Sequence, residues 1–392
     1  MNTKHQKILV KVNPKVLKWT IESSGWEIKE LSEKTKIDTE KIEKWLRCES
    51  QIELNKLEKL AHYLKRPSAV FFLPEPPKEE RLTDYRKIPG TKNNKLSKKT
   101  LDAIRNARYV QTNARELFEL QNIDEHPKIE QYNLNDDPEK VAQNEGHRLN
   151  FEIKIKEKGW ASEKAAKQAY QQLREKIESL NVFVLQSNMP IIEARGFTLT
   201  SRYPIVIVVN SVDSIKPRTF TLLHEYAHIL LRKNGMCLPN SESFTKSIDE
   251  IQLIEKWCNA FAGSLLMPKE EFLTALEDNE KKFEEPTKMI INLSKKFRVS
   301  KKAVTVRILN LITDQSAKKK YLEYYNEIIQ KPSTETKSKS PGNQIDKCLG
   351  QKGRKYVKLV SDSKNKQLIT INSMINYLDL KVKHFEGLEA KI

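Results

Sequence analysis

Apolar positions along the chain change their spacing three times, and each change marks a different kind of element. Between residues 12 and 73 they form short helical runs. Val16, Leu17, Trp19 and Ile21 follow Pro14 and predict a helix closed by Gly25. Ile28 and Leu31 predict a second helix stopping near Thr35. Ile42, Trp45 and Leu46 predict a third, capped by Asp38 or Thr39, and Leu54, Leu57, Leu60, Ala61 and Leu64 a fourth. Pro67, Pro74, Pro76 and Pro77 then break the pattern, with Val70, Phe71, Phe72 and Leu73 expected to pack back on the bundle. A turn-rich strip, DYRKIPG, precedes a long amphipathic helix through Leu101, Ile104, Ala107, Val110, Ala114, Leu117 and Phe118, and AAKQAYQQLREKIESL reads as another helix.

From residue 181 the period falls to 2. NVFVLQ, ARGFTLT and YPIVIVVN predict three short strands, whose exposed edge could take an extended peptide as an added strand. Helical spacing returns at TLLHEYAHIL, where Arg232, Lys233 and Asn234-Gly235 suit a helix end. KPSTETKSKSPGNQ reads as a linker, and KYVKLVSDSKNKQLITINSMINYLDL as a strand, a turn, a second strand and a helix from Asn372. The expected architecture is α+β, mostly α. Its parts are a helical bundle at 1–75, a helical connecting region at 76–180, a central domain at 181–328 with a small sheet, a linker at 329–345, and a small α/β module at 346–392.

Composition narrows the setting. A formal net charge of +18 gives a general attraction to anionic partners without choosing among them. Cys48, Cys237, Cys258 and Cys348 form no C-x-x-C pair, which fits a reducing cytoplasm. The N-terminus lacks the apolar core of a signal peptide, and no run approaches ~18 apolar residues, so neither secretion nor membrane insertion is expected.

The chemistry concentrates in His224, Glu225 and His228. Residues four apart share a helix face, so the two histidines can reach one metal ion ~2.0–2.1 Å away. Glu225 lies about 100° round the helix, beside that ion, where a general base belongs. This is the His-Glu-x-x-His arrangement of zinc hydrolases, with one zinc per chain. A third ligand is needed, and SIDEIQLIEKWCNAFAGSLLMPKEEF offers Asp249, Glu250, Glu255 and Cys258. Glu255 is preferred because Asn259 falls four residues later on the same face, and an acid inside so apolar a helix also needs a partner. Asn259, four residues on, is placed to orient a ligand from the second shell. Arg195, Arg202 and Tyr203 are candidates for stabilising an oxyanion.

HEYAHILL followed by EKWCNAFAGSLLMP resembles the ImmA/IrrE family of metallo-endopeptidases. Asn259, Phe261, Ala262, Leu265, Leu266, Met267 and Pro268 match its signature, while Cys258 stands where alanine is usual. ARGFTLTSRYPIVIVVN and LSKKFRVSKKAVTVRILNL resemble the same family, so the similarity covers roughly residues 180–315. It implies zinc-dependent, site-limited cleavage of a transcriptional repressor or an antitoxin-like partner. Residues 293–311, with Lys295, Lys296, Arg298, Lys301, Lys302 and Arg307, can also be read as a DNA-binding helix pair, the structural role being preferred.

The N-terminal bundle resembles the Xre/Cro-type helix-turn-helix domain, with Ile42, Leu54, Leu57, Leu60, Ala61 and Leu64 at its core positions. That resemblance makes Thr39, Glu40, Lys41, Glu43 and Lys44 the candidate DNA-facing residues. Lys36 and Cys48 depart from it where glycine is usual, and Glu40 and Glu43 would oppose phosphates. The expectation is therefore a zinc endopeptidase whose bundle docks double-stranded DNA or a partner. The alternative is a DNA-binding regulator with a structural or sensory metal site.

Overall fold

A computed structural model describes residues 8–77, 96–123, 126–150, 163–231, 248–330 and 343–392. The expected strip at 84–90, the helix end at 232–235, Cys237 and most of the 329–345 linker lie outside the described residues. Within them, no helix is long and apolar enough to cross a membrane.

Four helices build the N-terminal bundle: α1 (Pro14–Ser23), α2 (Ile28–Thr35), α3 (Thr39–Leu46) and α4 (Leu54–Leu64). A two-residue ladder between β1 (Leu9–Val10) and β2 (Ile52–Glu53) ties the chain start to the α3–α4 connection. Pro14 opens α1, where its missing N–H is harmless, and the Asn13 side chain accepts the Lys15 N–H. Leu17, Leu31, Ile42, Leu57, Leu60 and Leu64 fill the core, whereas Leu54 is half-buried. Lys36 (φ 55°) and Cys48 (φ 62°) both occupy the left-handed region, at the two positions where the repressor-type pattern carries glycine. The backbone turn is thus kept although the residue best suited to it is absent. Of the apolar run after α4, Phe71 is fully buried and Val70 partly, while Phe72 and Leu73 are exposed. The expectation that all four pack on the bundle is corrected: their 3-10 turn presents one side only to the core.

The second half is built on a three-stranded sheet. β3 (Val182–Ser187) pairs parallel with β5 (Ile205–Asn210), which pairs antiparallel with the edge strand β4 (Gly196–Leu199). Alternation along the strands sorts side chains between two cores. Val182, Val184, Ile205, Ile207 and Val209 join one with α7 (Glu163–Ser179), α8 (Ile215–Leu231) and α9 (Ile248–Leu266). Phe183, Leu185, Val206 and Val208 face the other, with α5 (Lys98–Gln121) and the C-terminal helices. Burial on both faces explains why β5 reads as a continuous apolar run. α6 (Pro138–Arg148) packs on α9, and α10 (Lys269–Glu280), α11 (Pro286–Phe297), α12 (Lys301–Leu311) and α13 (Gln315–Gln330) extend the first core.

The C-terminal segment departs from expectation. No strand forms there; it is α14 (Gln344–Lys352), α15 (Arg354–Asn365), α16 (Ile371–Leu378) and α17 (Phe385–Glu389). The run KYVKLV places apolar residues in adjacent pairs, Tyr356-Val357 and Leu359-Val360, and that spacing is a helix stripe rather than an alternation. These helices share the second core with α5 and the sheet. Arg174 on α7, fully buried, donates to the Gly350 carbonyl at 2.8 Å and pairs with Glu178 at 3.3 Å. Gly353, at φ 84°, allows this approach, since a Cβ there would lie 2.3 Å from Glu178 Oε1.

α5 also meets the bundle. Lys98 pairs with Glu30 at 2.6 Å and lies 3.3 Å from the centroid of the Trp26 ring, and Arg105 donates to the Ser23 and Ser24 carbonyls at 2.9 and 2.7 Å. A cation at the end of α1 meets carbonyls with no intrahelical partner, where the helix dipole favours it.

Candidate active site

α8 carries the two histidines at the depth of the core. Leu222, Leu223, Tyr226, Ala227, Ile229, Leu230 and Leu231 are all buried, and so are His224, Glu225 and His228. Burying two imidazoles and a carboxylate on one helix needs compensation, which α9 and β4 supply. Glu255 reaches across from α9. Its Oε2 lies 3.3 Å from His224 Nε2, its Oε1 lies 3.1 Å from His228 Nε2, and the two Nε2 atoms are 3.1 Å apart.

Those separations bear on the metal question. Ligand atoms on a tetrahedral ion with ~2.0–2.1 Å bonds stand about 3.3–3.4 Å apart. Three donors at 3.1–3.3 Å therefore already describe one face of such a tetrahedron, and the donor set of two imidazoles and a carboxylate suits zinc. Among the described residues, this is the one group of three side chains so placed. Burial would raise the Glu255 carboxyl, but hydrogen bonds and charge from His224 and His228 hold it far below the usual carboxylate range, so it is anionic. The side chains of Asp249 and Glu250 lie outside the described residues.

Glu225 and its helix are held from two sides. Thr198 on β4 donates its hydroxyl to Glu225 Oε2 at 2.8 Å. Gly196 lets the same strand lie close: a Cβ there would stand 2.7 Å from Thr221 Cγ2, 2.9 Å from the Val208 carbonyl oxygen and 3.0 Å from Glu225 Oε1. On the opposite side Tyr226 donates to the buried Glu145 of α6 at 2.5 Å, and Arg148 donates to Tyr226 Oη at 2.7 Å and to Glu145 at 2.8 Å. α9 is anchored similarly, since Ser264 and Arg307 of α12 both donate to Glu139, at 2.8 and 2.9 Å.

Asn259 does not take the place expected of it. It is exposed and, among the described residues, makes no hydrogen bond to the metal-site side chains. One residue earlier on α9, the buried Cys258 Sγ lies 3.4 Å from His228 Nδ1. A proton on Nδ1 directed at that sulfur leaves Nε2 its lone pair. Burial pushes the Cys258 thiol up, so it stays protonated near neutral pH. The helix angle between positions 255, 258 and 259 decides this: 258 turns toward α8 and 259 toward solvent.

The oxyanion candidates are engaged elsewhere. Arg195 bonds both Asp213 oxygens, at 2.8 and 2.9 Å. Tyr203 packs against the His126 ring with centroids 5.5 Å apart, and Arg202, which is exposed, offers its carbonyl to Gln111. Thr198 carried no signal in the sequence, being one threonine in a β-rich run. Cys258 was visible as a candidate third ligand, not as a partner of His228 Nδ1.

Residues 177–309 match the family model of peptidase M78, described as an IrrE N-terminal-like domain. That match suggests a metallopeptidase of the ImmA/IrrE type, and the metal-site geometry lies wholly inside the matched region. No curated protein matches the chain.

Proposed function

We propose that the chain is a zinc-dependent endopeptidase in which His224, His228 and Glu255 hold the ion and Glu225 is general base and then acid. The observation that carries this reading is the convergence of three donors at 3.1–3.3 Å, with Glu225 one position from His224 on the same helix. Zinc, when bound, supplies polarisation of the scissile carbonyl and a lowered pKa of ~7 for the attacking water. Glu225 accepts the water proton at Oε1 while Oε2 takes the Thr198 hydroxyl, and the proton passes from Oε1 to the leaving amine. Cys258 keeps the His228 ring in the tautomer that frees Nε2.

Among the described residues no strand pairs with the outer edge of β4, which runs beside Glu225. An extended substrate segment adds there as a further strand, bringing its peptide bond to the base. Following the family resemblance, the substrate is a helix-turn-helix repressor or antitoxin-like protein, and the setting is cytoplasmic. The N-terminal bundle docks the enzyme on a partner. On α3, Lys44 pairs with Glu40 at 2.8 Å and Lys41 with Asp38 at 3.5 Å, so its cations are already answered by neighbouring acids. This favours a protein partner over duplex DNA.

The test is Glu225→Gln. The variant is expected to hold as much zinc as the parent and to leave a repressor encoded beside it uncut. Cleavage at the parental rate would refute the mechanism.

A further inference from the structure

Beyond the metal site, a lysine-rich surface lies at the N-terminal end of α8, which Lys216 ties to the end of α11, just before α12, through the Ser294 carbonyl. Five lysines are gathered on these elements: Lys216, Lys295, Lys296, Lys301 and Lys302. Among the described residues none of them has an ion-pair partner, whereas Lys18, Lys41, Lys44, Lys56, Lys98 and Lys391 each pair with an acid. The sequence gives the reason. Neither α11 nor α12 contains a single Asp or Glu, and the one acid on α8 is Glu225, inside the site. Asp213, just before α8, is held by Arg195, and Glu323 on α13 forms no ion pair with these lysines. Lys216 is fixed by donating to the Ser294 carbonyl at 3.2 Å. Its ammonium is held below the ordinary range by burial first, then by Arg298, Lys295 and Lys301, which shows how closely the charges crowd.

The position of this patch relative to the site gives it a use. β4 runs along α8: Thr198 meets Glu225, Gly196 meets Thr221, and Arg195 meets Asp213, two residues ahead of the helix. Following β4 backward from the base therefore leads to the start of α8 and the Lys216 cluster. Lys302 at the α12 end of the patch is held below its ordinary range by burial first and then by the charge of Arg195. A peptide laid on the outer edge of β4 with its scissile bond at Glu225 extends at ~3.3 Å per residue, so a few residues bring it to the lysines.

We propose that this lysine face is a docking surface for an acidic peptide segment, and that the protease selects substrates carrying Asp or Glu a few residues to one side of the cleaved bond. The proposal rests on the peptidase reading for its placement and adds the substrate class. The exposed Lys295, Lys296, Lys301 and Lys302, on flexible four-carbon stems, give charge attraction with little demand on shape, which suits a flexible acidic segment.

The experiment uses the full-length Glu225→Gln protein loaded with zinc, so that nothing is cut. The probe is a fluorescent oligoglutamate peptide of about twelve residues, long enough to span ~40 Å, followed by anisotropy. Reversing Lys216, Lys301 and Lys302 to Glu should weaken binding about tenfold or more. Lys301→Gln with Lys302→Gln, both exposed positions, should weaken it in the same direction if the triple variant folds poorly. Reversing the exposed Lys358, Lys381 and Lys383 in the C-terminal segment, an equal change in net charge, should leave binding unchanged.

Equal losses from the two triple reversals, or equal binding of a neutral glycine-serine peptide, would overturn the proposal. So would lysine-dependent binding of a duplex oligonucleotide with none of the peptide, which would make nucleic acid the occupant. Zinc content of the same samples separates the two readings. Full zinc with no lysine effect overturns the docking surface alone; lysine-dependent peptide binding without zinc supports the surface and overturns the peptidase reading.

Discussion

The α8–α9 site and the exposed face of α3 are both charged helix surfaces, and they resolve their charges in opposite ways. On α3, Lys41 and Lys44 are answered by Asp38 and Glu40 along the same helix, one turn away, in solvent. Such solvent-exposed pairs contribute little to stability and leave little field for a ligand. At the metal site, three side chains from two helices point at one another inside the core, at distances that also suit a shared ion. Local spacing pairs charges; only tertiary packing makes them converge. Convergence in a buried place is the stronger sign of chemistry.

Glu255→Gln should disturb the comparison most. Removing the anionic donor is expected to lower zinc affinity about a hundredfold, or ~3 kcal/mol, measured by competition with a chelator. Unchanged affinity would mean that the third ligand is another residue. Thr198→Val, nearly isosteric, should lower kcat about tenfold with zinc content and KM unchanged, since it removes only the hydrogen bond to the base. A matching rise in KM would point instead to a damaged strand edge. Cys258→Ala should weaken zinc binding about tenfold while Cys258→Ser retains it, because a hydroxyl can still accept from His228 Nδ1.

On the other side of the comparison, Lys41→Ala with Lys44→Ala should change binding of a duplex oligonucleotide by less than about threefold at physiological salt. A larger loss would make α3 a DNA-reading face after all. The smallest effect concerns the turns flanking that helix. Lys36→Gly should raise stability by about 0.5–1 kcal/mol in urea denaturation, since a left-handed residue with a side chain gives way to one without. A loss of stability would show that the Lys36 side chain contributes more than the strain it brings.

How much of this was legible in the sequence depended on whether the signal was local. His224 and His228 announce themselves by a four-residue spacing that any helix turns into one face, and Glu255 by being an acid in an apolar run. The strands were readable because β5 is buried on both faces and carries no polar interruption before Asn210. Partner choice was not readable. Whether Cys258 or Asn259 meets His228 depends on the rotation of α9 against α8, and Thr198 meets Glu225 only because Gly196 lets β4 lie close. The C-terminal helices were misread because paired apolar residues in KYVKLV satisfy a short strand window as well as a helix stripe. What decides between them is the second face of the sheet, which needs a helical cover and is supplied from more than a hundred residues away.

The central claim is tested most directly by a crystal structure of the zinc-loaded Glu225→Gln protein, with the ion located by anomalous scattering at the zinc edge. One zinc is expected within ~2.0–2.2 Å of His224 Nε2, His228 Nε2 and a Glu255 oxygen. Residue 225 should stand beside the ion and not on it. Zinc bound elsewhere, or held with Asp249 or Glu250 in place of Glu255, would contradict it.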